Sequence, residues 1–173
     1  MPNLNPEVNY LNAVSFETNF NRIPKVSFTC QAVSIPSLAL GITNYASFFS
    51  DLPIEGDKIN FEQLSISFIV SEDFSNYLEL YGWITTIGFP ENFEQFSLKD
   101  SLAQSTGVDT LRSDMSVIVN TNKSNPSYNI LFKDAFPTSL GNIDFNASAA
   151  SIDPIIVNAT FAFAGQFTIT KIT

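Results

Sequence analysis

The clearest pattern of apolar and polar positions lies in residues 56–90, GDKINFEQLSISFIVSEDFSNYLELYGWITTIGFP. From Leu64 to Val70 large apolar side chains occupy every second position, which is the period of a half-buried β-strand. The apolar phase slips by one residue near Glu62 and Gln63. We therefore expect a β-bulge there, which bends the sheet without ending the strand.

Beyond Val70 the apolar period changes from two to about 3.6 residues, which indicates an amphipathic helix. The sequence predicts Ser71 as the N-cap of this helix, and Gly88 with Pro90 as its end. We expect one stripe of large apolar side chains to pack on the sheet. The stripe consists of Phe74, Tyr77, Leu78, Tyr81 and Ile84.

Two strands are predicted before this unit. The first covers about Leu11–Phe20 and the second covers Ile23–Ala32, with a short turn between them. We expect the two strands to pair as a hairpin. Cys30 falls on the apolar face of the second strand, which indicates a buried and inert thiol.

The C-terminal part of the chain predicts further strands. Residues 115–119 and 128–132 alternate on the two sides of a turn at 121–127, which indicates an antiparallel hairpin. Phe136–Gly141 contains proline and glycine and indicates a corner, after which another strand begins at Ile143.

The longest predicted strand lies near the end of the sequence. From Ile155 the odd positions are almost all apolar, while the even positions are mostly small or polar as far as Thr170. Gly165 interrupts this pattern, and we expect the strand to bend there.

These elements predict a mainly β (α+β) protein, an antiparallel β-sandwich or small barrel with one flanking amphipathic helix. The 173 residues fit a single domain, 1–173, with a core of substantial size. Residues 1–10 form an irregular N-terminal arm in this prediction, and residues 91–114 form an acidic, exposed connection.

Residues 34–55 are predicted to form a long connection that is unusually apolar for a loop. Disordered loops are not built from such residues, and long loops in compact domains are often functional. The connection either folds back over its own sheet or reaches a neighbouring subunit, and we favour the neighbouring subunit. The apolar side chains that need cover are Leu38, Leu40, Ile42, Tyr45, Phe48, Phe49 and Leu52.

Charge and composition narrow the function further. Only 14% of the residues are charged, so we expect other subunits to cover part of the surface. The net charge of −9 arises between Asp51 and Asp114, where twelve acidic residues face three basic ones. The chain has no cluster of Lys and Arg that would bind duplex nucleic acid tightly. No run of residues predicts a membrane span or a signal peptide.

The sequence offers little for catalysis. There is no histidine, so a serine-protease-type triad and histidine metal ligands are excluded. The neighbouring carboxylates Glu55 and Asp57 fit a turn, and Glu72 and Asp73 fit a helix start. A glycosidase with two distant carboxylates stays open. We expect no enzyme activity, no cofactor and no metal site.

Three segments of the chain carry a resemblance to a known family. They are Gln31–Pro36 (QAVSIP), Gly56–Phe61 (GDKINF) with the strand and helix that follow, and Phe136–Leu140 (FPTSL). In their order along the chain, these segments resemble the tail tube proteins of contractile-tailed bacteriophages. The resemblance covers nearly the whole chain and includes no catalytic motif.

This resemblance implies hexameric rings that stack into the inner tail tube and conduct phage DNA. The partners would be other copies of the chain, the sheath, and baseplate or terminator proteins, with DNA only as a non-specific cargo and no membrane. The protein would be located in the virion after assembly in the host cytoplasm, and residues 34–55 would bridge subunits. The candidate lumen face consists of Asn158, Thr160, Gln166 and Thr168.

Two alternatives remain at this stage. A single-ring tail terminator or baseplate tube initiator would share the fold but stop after one ring. A monomeric secreted β-sandwich binding module would carry a ligand patch instead of assembly surfaces.

Overall fold

Alternating apolar residues form nine strands in the part of the chain that the computed structural model describes, which is residues 11, 13–88, 111–146, 148 and 153–172. The strands are Phe16–Phe20 (β1), Cys30–Ser34 (β2), Leu38–Tyr45 (β3), Leu52–Phe61 (β4), Leu64–Ile69 (β5), Ser113–Asn120 (β6), Pro126–Leu140 (β7), Ile156–Ala162 (β8) and Thr168–Lys171 (β9). The helices in these ranges are Pro24–Thr29 (α1) and Ser75–Gly88 (α2). Neither helix has the length and apolarity needed to span a membrane.

Strand β7 holds the main sheet together. The described strands of this sheet follow the order β1-β6-β7-β8-β5-β2, and β9 also pairs with β7. The first part of β7 lies between β6 and β9, and its last part pairs with β8. All of these pairings are antiparallel. The fold is therefore mainly β, as predicted.

A bulge separates the two parts of β7. Asp134 has a positive φ of 50°, and its backbone N–H donates to Oδ1 of Asp114 at 3.0 Å. The register between β6 and β7 shifts at the same place. Such a bulge bends a strand and increases its twist, so the two halves of the sheet can pack on one core.

The core forms where the alternating faces of the strands meet helix α2. Leu80 and Trp83 of α2 are buried with the inward side chains of β5 and β8, such as Phe68 and Phe161. The Trp83 indole N–H donates to the carbonyl oxygen of Leu111 at 3.0 Å. Burial of each large apolar side chain contributes about 1.5–3 kcal/mol.

Four phenylalanines form a second part of the core at the break between β8 and β9. The ring centroids of Phe132 and Phe163 lie 5.2 Å apart, and those of Phe61 and Phe167 lie 5.8 Å apart. Edge contacts of this kind are favourable for aromatic rings. The cluster fixes the end of β4 against the main sheet.

Asn76 is fully buried and connects three elements. Its Nδ2 donates to the carbonyl oxygen of Ile69 at 2.7 Å and to Oγ1 of Thr29 at 2.9 Å. Its Oδ1 accepts the N–H groups of Ser71 at 3.1 Å and Tyr77 at 2.8 Å. One side chain thus joins the end of α1, the end of β5 and the start of α2.

The predicted start of α2 is wrong. The N–H of Leu78 donates to the carbonyl oxygen of Phe74 at 2.9 Å, and the helix begins at Ser75. Ser71 is not the N-cap, because Phe74, with a positive φ of 57°, directly precedes the helix. Ser71 lies in the turn before it, and its N–H donates to Oδ1 of Asn76.

The buried stripe of α2 also differs from the prediction. Asn76, Leu80 and Trp83 are the buried residues, whereas Leu78 and Tyr81 are 56% and 52% exposed. Tyr77 and Ile84 of the predicted stripe are partly buried and pack against the core, as predicted, whereas Leu78 and Tyr81 lie on the outward flank.

The predicted N-terminal hairpin is wrong. Residues 24–29 are helical, β1 pairs with β6 and β2 pairs with β5. Pro24 at the start of α1 favours a helix, because its fixed φ suits the first turn. Cys30 is therefore both the C-cap of α1 and the first residue of β2, opposite Phe68. Its thiol is half-buried, and burial raises its pKa, which favours the inert thiol form.

Two strand boundaries were also predicted incorrectly. The phase slip at residues 62–63 ends one strand and starts another, so β4 and β5 belong to different sheets and the predicted continuous strand is wrong. Phe136–Leu140 continues β7 instead of forming a corner, because it pairs with β8. No strand is present at residues 141–146.

Other predicted elements are confirmed, wholly or in part. Strands β6 and β7 form the expected hairpin around residues 121–125. The predicted long final strand is confirmed only in part, because residues 163–167 separate it into β8 and β9, which are successive partners of β7. Gly165, with a φ of 67°, lies in this break, where the bend was predicted. Residues 1–10 and residues 91–110 of the acidic connection lie outside the described residues.

We expect the substitution Asn76→Ala to lower the free energy of unfolding by about 2–4 kcal/mol, because it leaves buried backbone groups without partners. The control is Asn44→Ala, at an exposed position of β3, which should change the value by less than about 0.5 kcal/mol. Urea unfolding, at a concentration where all variants have equal mass by light scattering, measures both. Equal stability of the two variants would contradict the bridging role of Asn76.

Candidate assembly surfaces

The most exposed apolar surface of the described chain is the hairpin of β3 and β4. These strands pair only with each other, in a register from Leu38 opposite Phe61 to Tyr45 opposite Leu52. The segment predicted as a loop is thus an antiparallel hairpin, with residues 46–51 at its tip. This corrects the expected absence of regular structure in residues 34–55.

The predicted interface residues all lie on this hairpin. Phe48 and Phe49 at the tip have relative exposures of 102% and 100%. The alternative that the segment folds back over its own sheet is wrong for the described residues, because all seven side chains are at least half exposed. They are Leu38, Leu40, Ile42, Tyr45, Phe48, Phe49 and Leu52.

Sequence reasoning missed two members of this surface. Ile54 and Ile59 on β4 are 46% and 56% exposed. Ile54 lies opposite Thr43, and Ile59 lies opposite Leu40. The signal in the sequence was that residues 52–61 continue the apolar content of the first strand of the hairpin. This content could have assigned Ile54 and Ile59 to the same surface.

Two glycines allow the strands of the hairpin to approach closely. A Cβ atom added at Gly56 would lie 2.7 Å from the carbonyl oxygen of Gly41. The register shifts between Leu40 and Ile42, so Gly41 lies in a bulge. Glycine at position 56 is therefore required by the backbone geometry.

Several strand edges have no partner strand in the part of the chain that the structure describes. Among the described strands, β1 and β2 end the path of the main sheet, and β9 pairs only with β7. Both strands of the hairpin also have one free edge. Free edges present unpaired N–H and C=O groups that another chain can complete. The fold thus offers several positions for intermolecular β-pairing.

The exposed face formed by β5, β8 and the last part of β7 is polar but uncharged. Ser67 Oγ donates to Oδ1 of Asn158 at 2.6 Å. The hydroxyls of Thr138 and Thr160 lie 2.9 Å apart, and Thr138 also donates to Oε1 of Gln63 at 3.2 Å. Hydroxyl and amide groups thus bond to one another across the strands in two groups on a neutral surface, which also exposes the apolar side chain of Ile156.

The structure divides the predicted lumen residues into two groups. Asn158 and Thr160 lie together on β8, between the buried residues Val157, Ala159 and Phe161. Thr168 lies on β9, and Gln166 lies in the break before it; both are exposed. All four positions face away from the core, but only the first two share the hydrogen-bonded face described above.

The described residues do not form a recognisable reaction centre. They include no group of three or more His, Cys, Asp or Glu side chains placed to hold a metal ion. The Asp73 carboxylate accepts the N–H of Ser75 at 3.1 Å, and this bond lowers the pKa of Asp73. Asp73 therefore stabilises the turn before α2.

The model of the family described as phage tail tube protein matches residues 2–168. The chain belongs to the phage tail tube protein family. The resemblance seen in the sequence is thereby confirmed, and membership of this family supports a structural role. No curated protein matches the chain significantly.

Solved structures with the same fold come from contractile injection systems. A chain of the anti-feeding prophage baseplate, 6-fold symmetrised, is similar with a TM-score of 0.64 and 12% identity, over 94% of this chain and 97% of that chain. A chain of the anti-feeding prophage tube-terminating cap has a TM-score of 0.61 and 15% identity, over 95% and 94%. A chain of the PVC sheath-tube complex of an extracellular contractile injection system, in the extended state, has a TM-score of 0.58 and 15% identity, over 94% and 93%.

We expect Gly56→Ala to loosen the hairpin, because the added methyl group collides with the Gly41 carbonyl and one strand must shift. Hydrogen exchange should become about tenfold faster or more for the amides of β3 and β4, while exchange in β5 and β8 stays unchanged. The control Gly82→Ala, in helix α2 with nothing within 4 Å of the added atom, should stabilise the protein by about 0.5–1 kcal/mol. Unchanged exchange in the Gly56→Ala hairpin would contradict the close approach.

Proposed function

We propose that this chain is a subunit of the inner tail tube of a contractile particle. In this proposal hexameric rings close through neighbouring sheets and stack into a tube. The observation that carries the proposal is the β3–β4 hairpin, which projects apolar side chains that no described part of its own chain covers. Membership of the tail tube family supports this role.

Ring closure would satisfy the free edges of the main sheet. Strands β1, β2 and β9 each lack a partner on one edge among the described residues. Pairing between neighbouring copies would complete their hydrogen bonds, and a closed ring would remove the exposed edges. The sixfold order is taken from the resemblance and from the symmetry of the anti-feeding prophage baseplate.

The neutral face around Asn158 and Thr160 is our candidate for the wall of the lumen. The strands β2, β5 and β8 contain no charged residue. A wall without Lys and Arg releases no counterions from DNA and therefore does not hold it tightly. DNA would pass this surface as a non-specific cargo. Gln166 and Thr168 would extend the same wall on the other side of Gly165.

The outer partners would be a sheath and the proteins that begin or end the tube. Related folds occur in a sheath-tube complex, a baseplate and a tube-terminating cap. The particle would be a phage tail assembled in the host cytoplasm. A structural role of this kind requires neither a cofactor nor an enzymatic activity.

A single-ring terminator or tube initiator is the main alternative. The fold is similar in a cap, a baseplate and a tube chain, so the fold alone does not distinguish these roles. The number of rings that stack distinguishes them. A monomeric binding module is disfavoured by the family and by the uncovered hairpin.

We expect the double substitution Phe48→Asp and Phe49→Asp to leave a folded protein that does not stack. Burial of two phenylalanines contributes about 3–6 kcal/mol, so their loss should raise the concentration needed for stacking by about 100-fold or more. Sedimentation and negative-stain microscopy measure the assembly, and circular dichroism measures the fold.

Phe28→Asp is the matched control, because Phe28 on α1 is also a 93% exposed phenylalanine. This variant should assemble like the unmodified chain when no sheath is present. If the Phe48 and Phe49 variant still forms full-length tubes, the proposed role of the hairpin in stacking is wrong.

A further inference from the structure

A second apolar surface of the chain is concave. It is a groove of about 930 Å³ between Leu11, Ile35, the turn after β6, and the strands β6, β7 and β9. The apolar residues of its wall include Val119, Tyr128 and Ile169. Leu11 and Ile169 are 75% and 59% exposed, so no described part of the chain covers them.

We propose that this groove receives the tip of the β3–β4 hairpin of a second copy of the chain. The inference rests on the proposed assembly of copies and names the surface that accepts the hairpin. The tip, Ala46–Asp51, presents Phe48 and Phe49 completely exposed. A protein cavity on the order of 150 Å³ holds one benzene ring, so the groove has room for two phenyl rings with their backbone.

The hairpin cannot fill the groove of its own chain. Ile35 lines the groove and lies just before Leu38, where β3 begins, so the base of the hairpin is next to the groove. The eight residues of β3, at ~3.3 Å per residue, place the tip on the order of 25 Å from this base. The paired register from Leu38 to Tyr45 prevents the tip from turning back. A hairpin tip that occupies the groove therefore comes from another copy.

The charges of the two surfaces are complementary. Lys123 is the charged residue of the groove lining. Asp51 is the charged residue of the tip and follows the phenylalanines by two positions. Both side chains are exposed in the single chain. With the phenyl rings in the groove, the Asp51 carboxylate would pair with the Lys123 ammonium at its rim. The contact joins different surfaces of the two copies, so it is head-to-tail and can propagate.

Charge reversal tests the proposed pair. Asp51→Lys and Lys123→Asp should each raise the concentration needed for assembly by about tenfold, because the loss of a partly desolvated ion pair weakens binding by about this factor. The two substitutions together should restore assembly to within about twofold of the unmodified chain. The control combines Asp51→Lys with Lys133→Asp, at an exposed position of β7 outside the groove, and should not restore it.

A disulfide identifies the occupant directly. Ser50→Cys and Asn122→Cys are combined in a Cys30→Ser background, and the assembled protein is oxidised with diamide, which accepts two electrons and two protons per disulfide. We expect a ladder of covalent oligomers on a non-reducing gel, while each single-cysteine variant gives no ladder. Intramolecular disulfides in place of a ladder would show that the tip reaches the groove of its own chain.

The outcomes separate this inference from the proposed function. If the unmodified chain assembles but neither charge rescue nor a ladder is observed, the hairpin binds elsewhere and the inference alone is wrong. If the unmodified chain stays monomeric at all concentrations, both the inference and the proposed function are wrong.

Discussion

The pairing of strand β7 with three other strands determines how the rest of the structure is arranged. Its fifteen residues pair with β6, β9 and β8. The bulge at Asp134 bends it between these partners, so one core can form from both halves of the sheet. The interior strands of the main sheet find all their partners within this sheet, so its pairing does not need residues 38–61. The hairpin is consequently free to act outside the chain.

In the proposed assembly, this division of the molecule would let each chain form its core before copies associate. The inward faces of β5 and β8 and the helix α2 bury their apolar residues within one chain. The hairpin and the groove keep theirs exposed. Such surfaces are a liability in a monomer, and an assembly turns them into contacts. In the proposed tube, the neutral hydroxyl and amide groups of β5, β8 and the last part of β7 would form the wall of the lumen.

Much of the fold was predictable where one face of an element is buried. Alternation identified β5 and β8, and the change of period identified α2 to within a few residues. Alternation failed for α1. The apolar residues there alternate by chance, and one of them, Phe28, is 93% exposed; they are Val26, Phe28, Cys30 and Ala32. The pairing of β1 with β6 joins residues about a hundred positions apart, and no local pattern specifies it. In the hairpin, alternation is limited to Leu38, Leu40 and Ile42 and is not sustained, so it did not identify the strands, although the uncovered apolar residues did indicate the candidate site.

The central claim is that copies of this chain associate through surfaces that one chain leaves open. Negative-stain electron microscopy of the purified protein at low and high concentration, with its mass from light scattering, tests this claim most directly. We expect hollow tubes built from stacked rings, which lengthen as the concentration rises. Isolated rings that never stack would assign the chain to the terminator or initiator role. A monomer at every concentration would contradict the account.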